Sequence, residues 1–145
     1  MWSDSVLAAE RAHLLRVLIW GAASVLAGTG VLALRAASRA PSPLLLHFGI
    51  QTAAWGAVCV AIAGFGWRGL ADRDLSGVTR LLNILWLNVG LDAGYVGVGA
   101  TLAIAGWTMG RRLGAVGAGV AIVVQGLALL ALDARFVALL RRAVE

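Results

Sequence analysis

Four stretches of this chain are long, apolar and almost free of charge, and they dictate what it can fold into. Val17–Leu34 is an uncharged run of eighteen residues, Leu44–Trp67 one of twenty-four and Leu113–Leu132 one of twenty. Leu81–Trp107 runs for twenty-seven residues, interrupted only by Asp92. About 20 predominantly apolar residues suffice for a helix to cross a bilayer. A helix also satisfies its backbone polar groups internally, as lipid demands. The expectation is an all-α fold: a polytopic membrane protein built as an antiparallel four-transmembrane-helix bundle. Its single domain covers residues 1–145, with helices at about 12–35, 43–67, 79–108 and 112–142.

Composition agrees. Hydrophobic residues make up 61% and charged residues 13% of the chain, against about 45–50% and about 25% in soluble domains. The mean hydropathy is +0.89. The net charge of +5 comes from arginine alone, without lysine. The arginines stand singly or in pairs near the ends of the apolar runs, a placement that suits anionic headgroups. A basic face interleaved with aromatics, as nucleic acid would need, is missing. Membrane lipids are the expected partners, nucleic acid is not, and a homodimer or larger membrane complex is compatible with the pattern.

The connections carry helix punctuation. In "RAASRAPSP", Ser42 is placed to cap the second helix and Pro43 to open it. "RGLADRDLSGVTR" joins the second and third runs, and "MGRR" the third and fourth. Short links favour neighbouring antiparallel helices. The first run is longer than the core of a secretory signal, follows the acids Asp4 and Glu10, and lacks a clean cleavage site, so an uncleaved helix is expected.

Arginines predict orientation. The amino end, middle loop and tail hold eight, among them Arg73, Arg80 and Arg141, and the other two loops hold Arg35, Arg39, Arg111 and Arg112. Basic residues accumulate on the cytoplasmic side. Both termini are therefore expected in the cytoplasm, with the chain integral to a bacterial cytoplasmic membrane.

Asp92 is the anomaly. A charged aspartate at the bilayer centre costs at least about 2.5–3.5 kcal/mol, and no arginine shares its level. Helical spacing puts Asn88, Asp92 and Tyr95 on one face of the third helix. Gly90, Gly94 and Gly97 fall on another face, which predicts a centrally packed helix. The fourth helix offers a stripe with Gly114, Gly117 and Gln125, and the second aligns His47, Gln51 and Trp55. Counting the rise per residue puts Gln51, Trp55, Tyr95, Asp92 and Gln125 at neighbouring levels, with Gln125 as the expected cross-helix partner of Asp92. Asp133 is expected at the interface beside Arg135 or Arg80, and Trp20, Trp67, Trp86 and Trp107 in the aromatic belt. The candidate binding or proton-linked residues are thus Asp92, Asn88, Tyr95, Gln125, Gln51, Trp55 and His47. No metal or cofactor is expected: Cys59 is the only cysteine, and His13 and His47 lie in different segments.

The runs "LNVGLDAGYVGVG" and "GAGVAIVVQGLALLALD" resemble an uncharacterised family of small bacterial four-helix integral membrane proteins. The matching positions are Asn88, Asp92, Tyr95, Gly117, Gly119, Gln125, Gly126 and Asp133, with "QTAAWG" in the second helix. The resemblance implies fold and topology and no established activity. Residues 18–30 and 85–97 also align on Trp20 with Trp86 and on Gly28 with Gly94, a match that Ala/Gly/Leu-rich sequence produces easily.

With no catalytic motif evident, an accessory or assembly subunit, or a binder of a lipophilic small molecule, asks least of the sequence. A proton-coupled transporter or channel using Asp92 is the alternative, and with four helices it would need a dimer. An enzyme acting on a lipid or isoprenoid comes third, since no second acid or base is expected at the level of Asp92 unless His47 serves through water.

Overall fold

A computed structural model describes residues 2–38 and 41–144, leaving out the side chains of Trp2 and Val144. Arg39, one of the arginines weighed for orientation, lies outside the described residues. Four helices follow one another: α1 (Trp2–Ala37), α2 (Pro43–Arg68), α3 (Leu75–Thr108) and α4 (Leu113–Val144). All four are long and apolar enough to cross a membrane.

The ends obey local chemistry. The Ser42 side chain accepts a hydrogen bond from the Leu45 N–H at 3.4 Å, and Pro43 opens α2. The Asp74 carboxylate accepts from the Gly77 N–H at 2.7 Å and from the Ser76 hydroxyl at 2.9 Å, which caps α3. Those two bonds hold the Asp74 carboxyl below the usual carboxylate range. The α3–α4 turn is reversed by Gly110 at φ 87° and Arg111 at φ 52°, a region that favours glycine. The Arg111 guanidinium lies 4.4 Å above the Trp107 ring.

Two helices begin before the sequence predicts. α1 starts at Trp2, where a start near residue 12 is expected, and α3 at Leu75, where residue 79 is expected. The cause is a core beyond the apolar runs: Val6, Val78, Phe136, Val137 and Leu140 bury one another where α1, α3 and α4 outreach α2. Arg73 locks this end, donating from Nε to Glu10 Oε2 at 2.9 Å and from Nη2 to Oε1 at 2.6 Å. Ser3 donates to Asp72 at 3.3 Å.

Glycine sets the packing. A Cβ at Gly21 would lie 2.8 Å from the Gly56 carbonyl oxygen, and one at Gly28 2.5 Å from the Ala53 nitrogen, so α1 and α2 meet backbone to backbone. Gly119 does the same for α3 and α4, where an added Cβ would sit 2.5 Å from the Gly99 carbonyl oxygen. Gly114 receives His47, and Gly117 lies against the backbone of Leu44, bringing α4 onto α2. Gly90, Gly94 and Gly97 do not pack: each faces open space. This corrects the expectation of a glycine-packed, central third helix. The central element is α4, which packs on all three others, while the backbones of α2 and α3 stay apart.

The burial pattern is inverted relative to a soluble bundle. Leu26, Leu34 and Phe65 are 72%, 75% and 71% exposed, whereas Ser24, Thr52, Asp92, Gln125 and Asp133 are buried. Polar groups inside and large apolar side chains outside suit a lipid surround.

Candidate functional site

Because α2 and α3 diverge while each holds to its partner, a cavity of about 430 Å³ opens between them. Its floor is made by His13 and Val17 of α1 and Leu129 and Asp133 of α4. Asn88, Asp92 and Tyr95 form the α3 wall, and Gln51, Trp55 and Cys59 the α2 wall. Across the gap, the Trp55 and Tyr95 rings meet edge to face with centroids 5.0 Å apart and planes at 66°. The exposed side chains of Val58, Ile62 and Leu91 rim the cavity on the outer face of the bundle. Access is therefore sideways, through the wall between two helices.

Asp92 enters this cavity because Gly126 lets α3 settle on α4: a Cβ there would meet the Asp92 carbonyl oxygen at 3.1 Å and a Val96 methyl at 2.9 Å. Asp92 as a residue is 5% exposed, and its Oδ2 has no hydrogen-bond partner. A buried polar atom without a partner costs about 1–3 kcal/mol and is rare enough to demand a reason.

A second acid lies further along the same cavity. Asp133 is buried, with its Oδ1 3.4 Å from His13 Nε2. His13 stacks on Phe136 at a centroid distance of 4.3 Å and leaves its Nδ1 unpartnered. Asn88 faces Asp133. Along the helices, Tyr95, Asp92 and Asn88 lie roughly 20, 24 and 30 Å from the Thr108 end of α3. The polar groups thus descend from mid-span towards the end where α2 joins α3.

Of the residues expected to cluster, Gln51, Trp55, Asn88, Asp92 and Tyr95 share this cavity. Two do not. Gln125 faces α1, accepting from Trp20 Nε1–H at 2.8 Å and donating to Ser24 Oγ at 3.1 Å. It is therefore no partner of Asp92, and Trp20 is tied inward by that bond instead of standing in an outer belt. His47 packs against Gly114, away from the cavity. Asp133 also departs from expectation, since it pairs with His13 inside the bundle and, among the described residues, with no arginine.

His13 and Asp133 are what the sequence reading missed as site residues. Val6, Glu10, His13 and Val17 are all buried, and their spacing of three or four marks one helical face. Starting the helix near residue 12 left Val6 and Glu10 outside it and hid that face. With His13 and Asp133 in place, a second acid and a base do line the cavity that holds Asp92.

No cluster of three metal-ligating side chains occurs among the described residues. Neither a curated protein nor a solved structure matches the chain. A family model does match, over residues 16–134. That stretch holds Asn88, Asp92, Tyr95 and Asp133 and stops short of His13 on α1. Covering most of the four-helix frame, the match makes the chain a member of DUF6992, a family of unknown function.

Proposed function

We propose that the chain is an integral membrane protein that binds a lipophilic small molecule in the cavity between α2 and α3, alone or as a subunit of a larger assembly. The observation that carries this reading is an unpartnered, buried Asp92 facing a cavity of about 430 Å³ whose mouth is rimmed by exposed apolar side chains. Binding sites for small molecules commonly enclose about 300–1,000 Å³, with mostly apolar walls and a few convergent polar groups. An opening between helices admits a molecule dissolved in lipid without passage through water.

To test it, the full chain is purified in lipid nanodiscs and its retained small molecules are extracted. About one lipophilic molecule per chain is expected, and Ala54→Trp, which fills the cavity, should expel it. A wild-type chain that retains nothing beyond bulk lipid would overturn the reading.

The proposed setting is a bacterial cytoplasmic membrane, with both termini on the cytoplasmic side. The arginine excess at the end shared by the start of α1, the α2–α3 connection and the end of α4 supports that orientation. Single cysteines at Ser42 and Ser76, in a Cys59→Ala background, should react from opposite sides, Ser76→Cys from the cytoplasm. The reverse pattern would invert the topology.

A second reading, proton-linked transport, draws on the descent from Asp92 to Asp133 and His13. It requires that Asp92→Asn abolish a proton flux in proteoliposomes, and an unchanged flux would remove it.

A further inference from the structure

We infer that the ligand of the α2–α3 cavity is a lipophilic cation, a protonated amine on an apolar body whose N–H is received by Asp92. This rests on the cavity-binding reading above and names the chemical class that the site selects. Charge selects first. The wall holds two carboxyl groups, Asp92 and Asp133, one imidazole and no arginine. An anionic headgroup would meet those acids without a counter-cation, so phosphates and fatty carboxylates are disfavoured.

The hydrogen-bond inventory of the cavity selects the same class. Asp92 Oδ2 is buried and lacks a donor, and an ionised carboxylate can only accept. A neutral, non-donating lipophile would leave it as it is. An ammonium supplies both the missing donor and the opposite charge, and charge-assisted bonds of this kind are the strong ones. His13 does not serve instead: its Nε2 is directed to Asp133 at 3.4 Å, and its Nδ1 and Asp92 Oδ2 both stay without a partner.

The aromatic pair also suits a cation. Trp55 and Tyr95 meet at 66° with centroids 5.0 Å apart, forming a corner over the cavity one helical turn from Asp92. Aromatic faces attract cations, tryptophan most strongly. Val58, Ile62, Leu91 and Leu129 then receive the apolar body.

The test uses the full chain in nanodiscs of phosphatidylcholine, whose zwitterionic surface does not concentrate cations. Three photoreactive probes share one benzophenone body and end in a primary amine, an alcohol or a carboxylate. Crosslinked peptides are mapped by mass spectrometry. The amine is expected to label the walls around Val58 and Leu91 at least tenfold more than either other probe. Asp92→Asn should lower amine labelling to the level of the alcohol, and Gly94→Ala, on the open face of α3, should leave it unchanged. Val58→Trp should block labelling at the mouth with both acids intact.

Equal labelling by alcohol or carboxylate overturns the cation assignment while leaving the cavity a binding site. Absence of cavity labelling by all three overturns both. The comparison of probes on the unaltered chain decides between these outcomes even if Asp92→Asn does not fold.

Discussion

Asp92 separates a structural role from a binding role by sign. Polar residues that glue helices together do so through a partner on the next helix, and among the described residues no group hydrogen-bonds Asp92 Oδ2. Replacing a buried, unpaired polar side chain with an apolar one of similar size removes an uncompensated cost. Asp92→Leu should therefore stabilise the bundle by about 1 kcal/mol while abolishing ligand retention. Unfolding in mixed micelles measures the first effect, and a marked loss of stability would mean that Asp92 is glue after all. Gln125 should behave in the opposite way. It satisfies the Trp20 indole and the Ser24 hydroxyl in one stroke, so Gln125→Leu strands two groups and should cost about 2 kcal/mol, with cavity binding retained. Spacing along the chain gives Asp92 a polar face with Asn88 and Tyr95 and gives Gln125 a small-residue stripe, yet neither pattern names a partner. Partner choice was illegible because it depends on how α4 is rotated between α1 and α3, which periodicity along one helix does not encode.

At the scale of elements, two glycine-bonded hairpins, α1 with α2 and α3 with α4, carry the architecture. In α3 the glycines occupy two faces: Gly99 and Gly106 contact α4, whereas Gly90, Gly94 and Gly97 face outward. Both sets recur at helical spacing, and spacing says which residues share a face without saying which face has a neighbour. Here the sequence pointed to the wrong set. The apparent repeat fails for the same reason, since Gly28 is pressed against α2 while Gly94, its aligned position, faces open space. The spans and the Ser42–Pro43 start of α2 were legible, because chain length in lipid and capping chemistry are local. Substitution should expose the difference between the faces. Gly119→Leu puts a side chain where the Gly99 carbonyl already lies, and forcing α3 from α4 should cost at least about 3 kcal/mol. Gly94→Leu should be neutral or slightly stabilising, as leucine favours helix over glycine by about 0.8 kcal/mol. Thermal unfolding of the two variants measures this directly, and equal destabilisation would refute the assignment of faces. Loss of assembly in Gly94→Leu alone would instead reveal that the open face meets another chain.

For the whole molecule, the decisive feature is that α2 and α3 are each held firmly on one side and not against each other. α2 rests on α1 and α4, and α3 rests on α4, so nothing in the backbone packing closes the gap between them. The Trp55–Tyr95 ring contact bridges it through side chains alone. Two outcomes are physically distinct: the gap stands open in the resting bundle, or α2 and α3 close on each other when the cavity is empty. Disulfide geometry tells them apart. A disulfide needs Cα atoms about 4.4–6.8 Å apart, closer than any α2–α3 backbone approach within the described residues, where no Cα pair comes within 8 Å. The pair Trp55→Cys and Tyr95→Cys, in a Cys59→Ala background, should therefore stay reduced under mild oxidation. A flexible bis-maleimide long enough to cross the gap should join the two thiols within one chain. That crosslink ties the two walls together and should slow both entry and release of a bound lipophile without unfolding the bundle. Rapid, complete disulfide formation without a ligand would show that the helices close spontaneously, and that the cavity exists only while something holds it open.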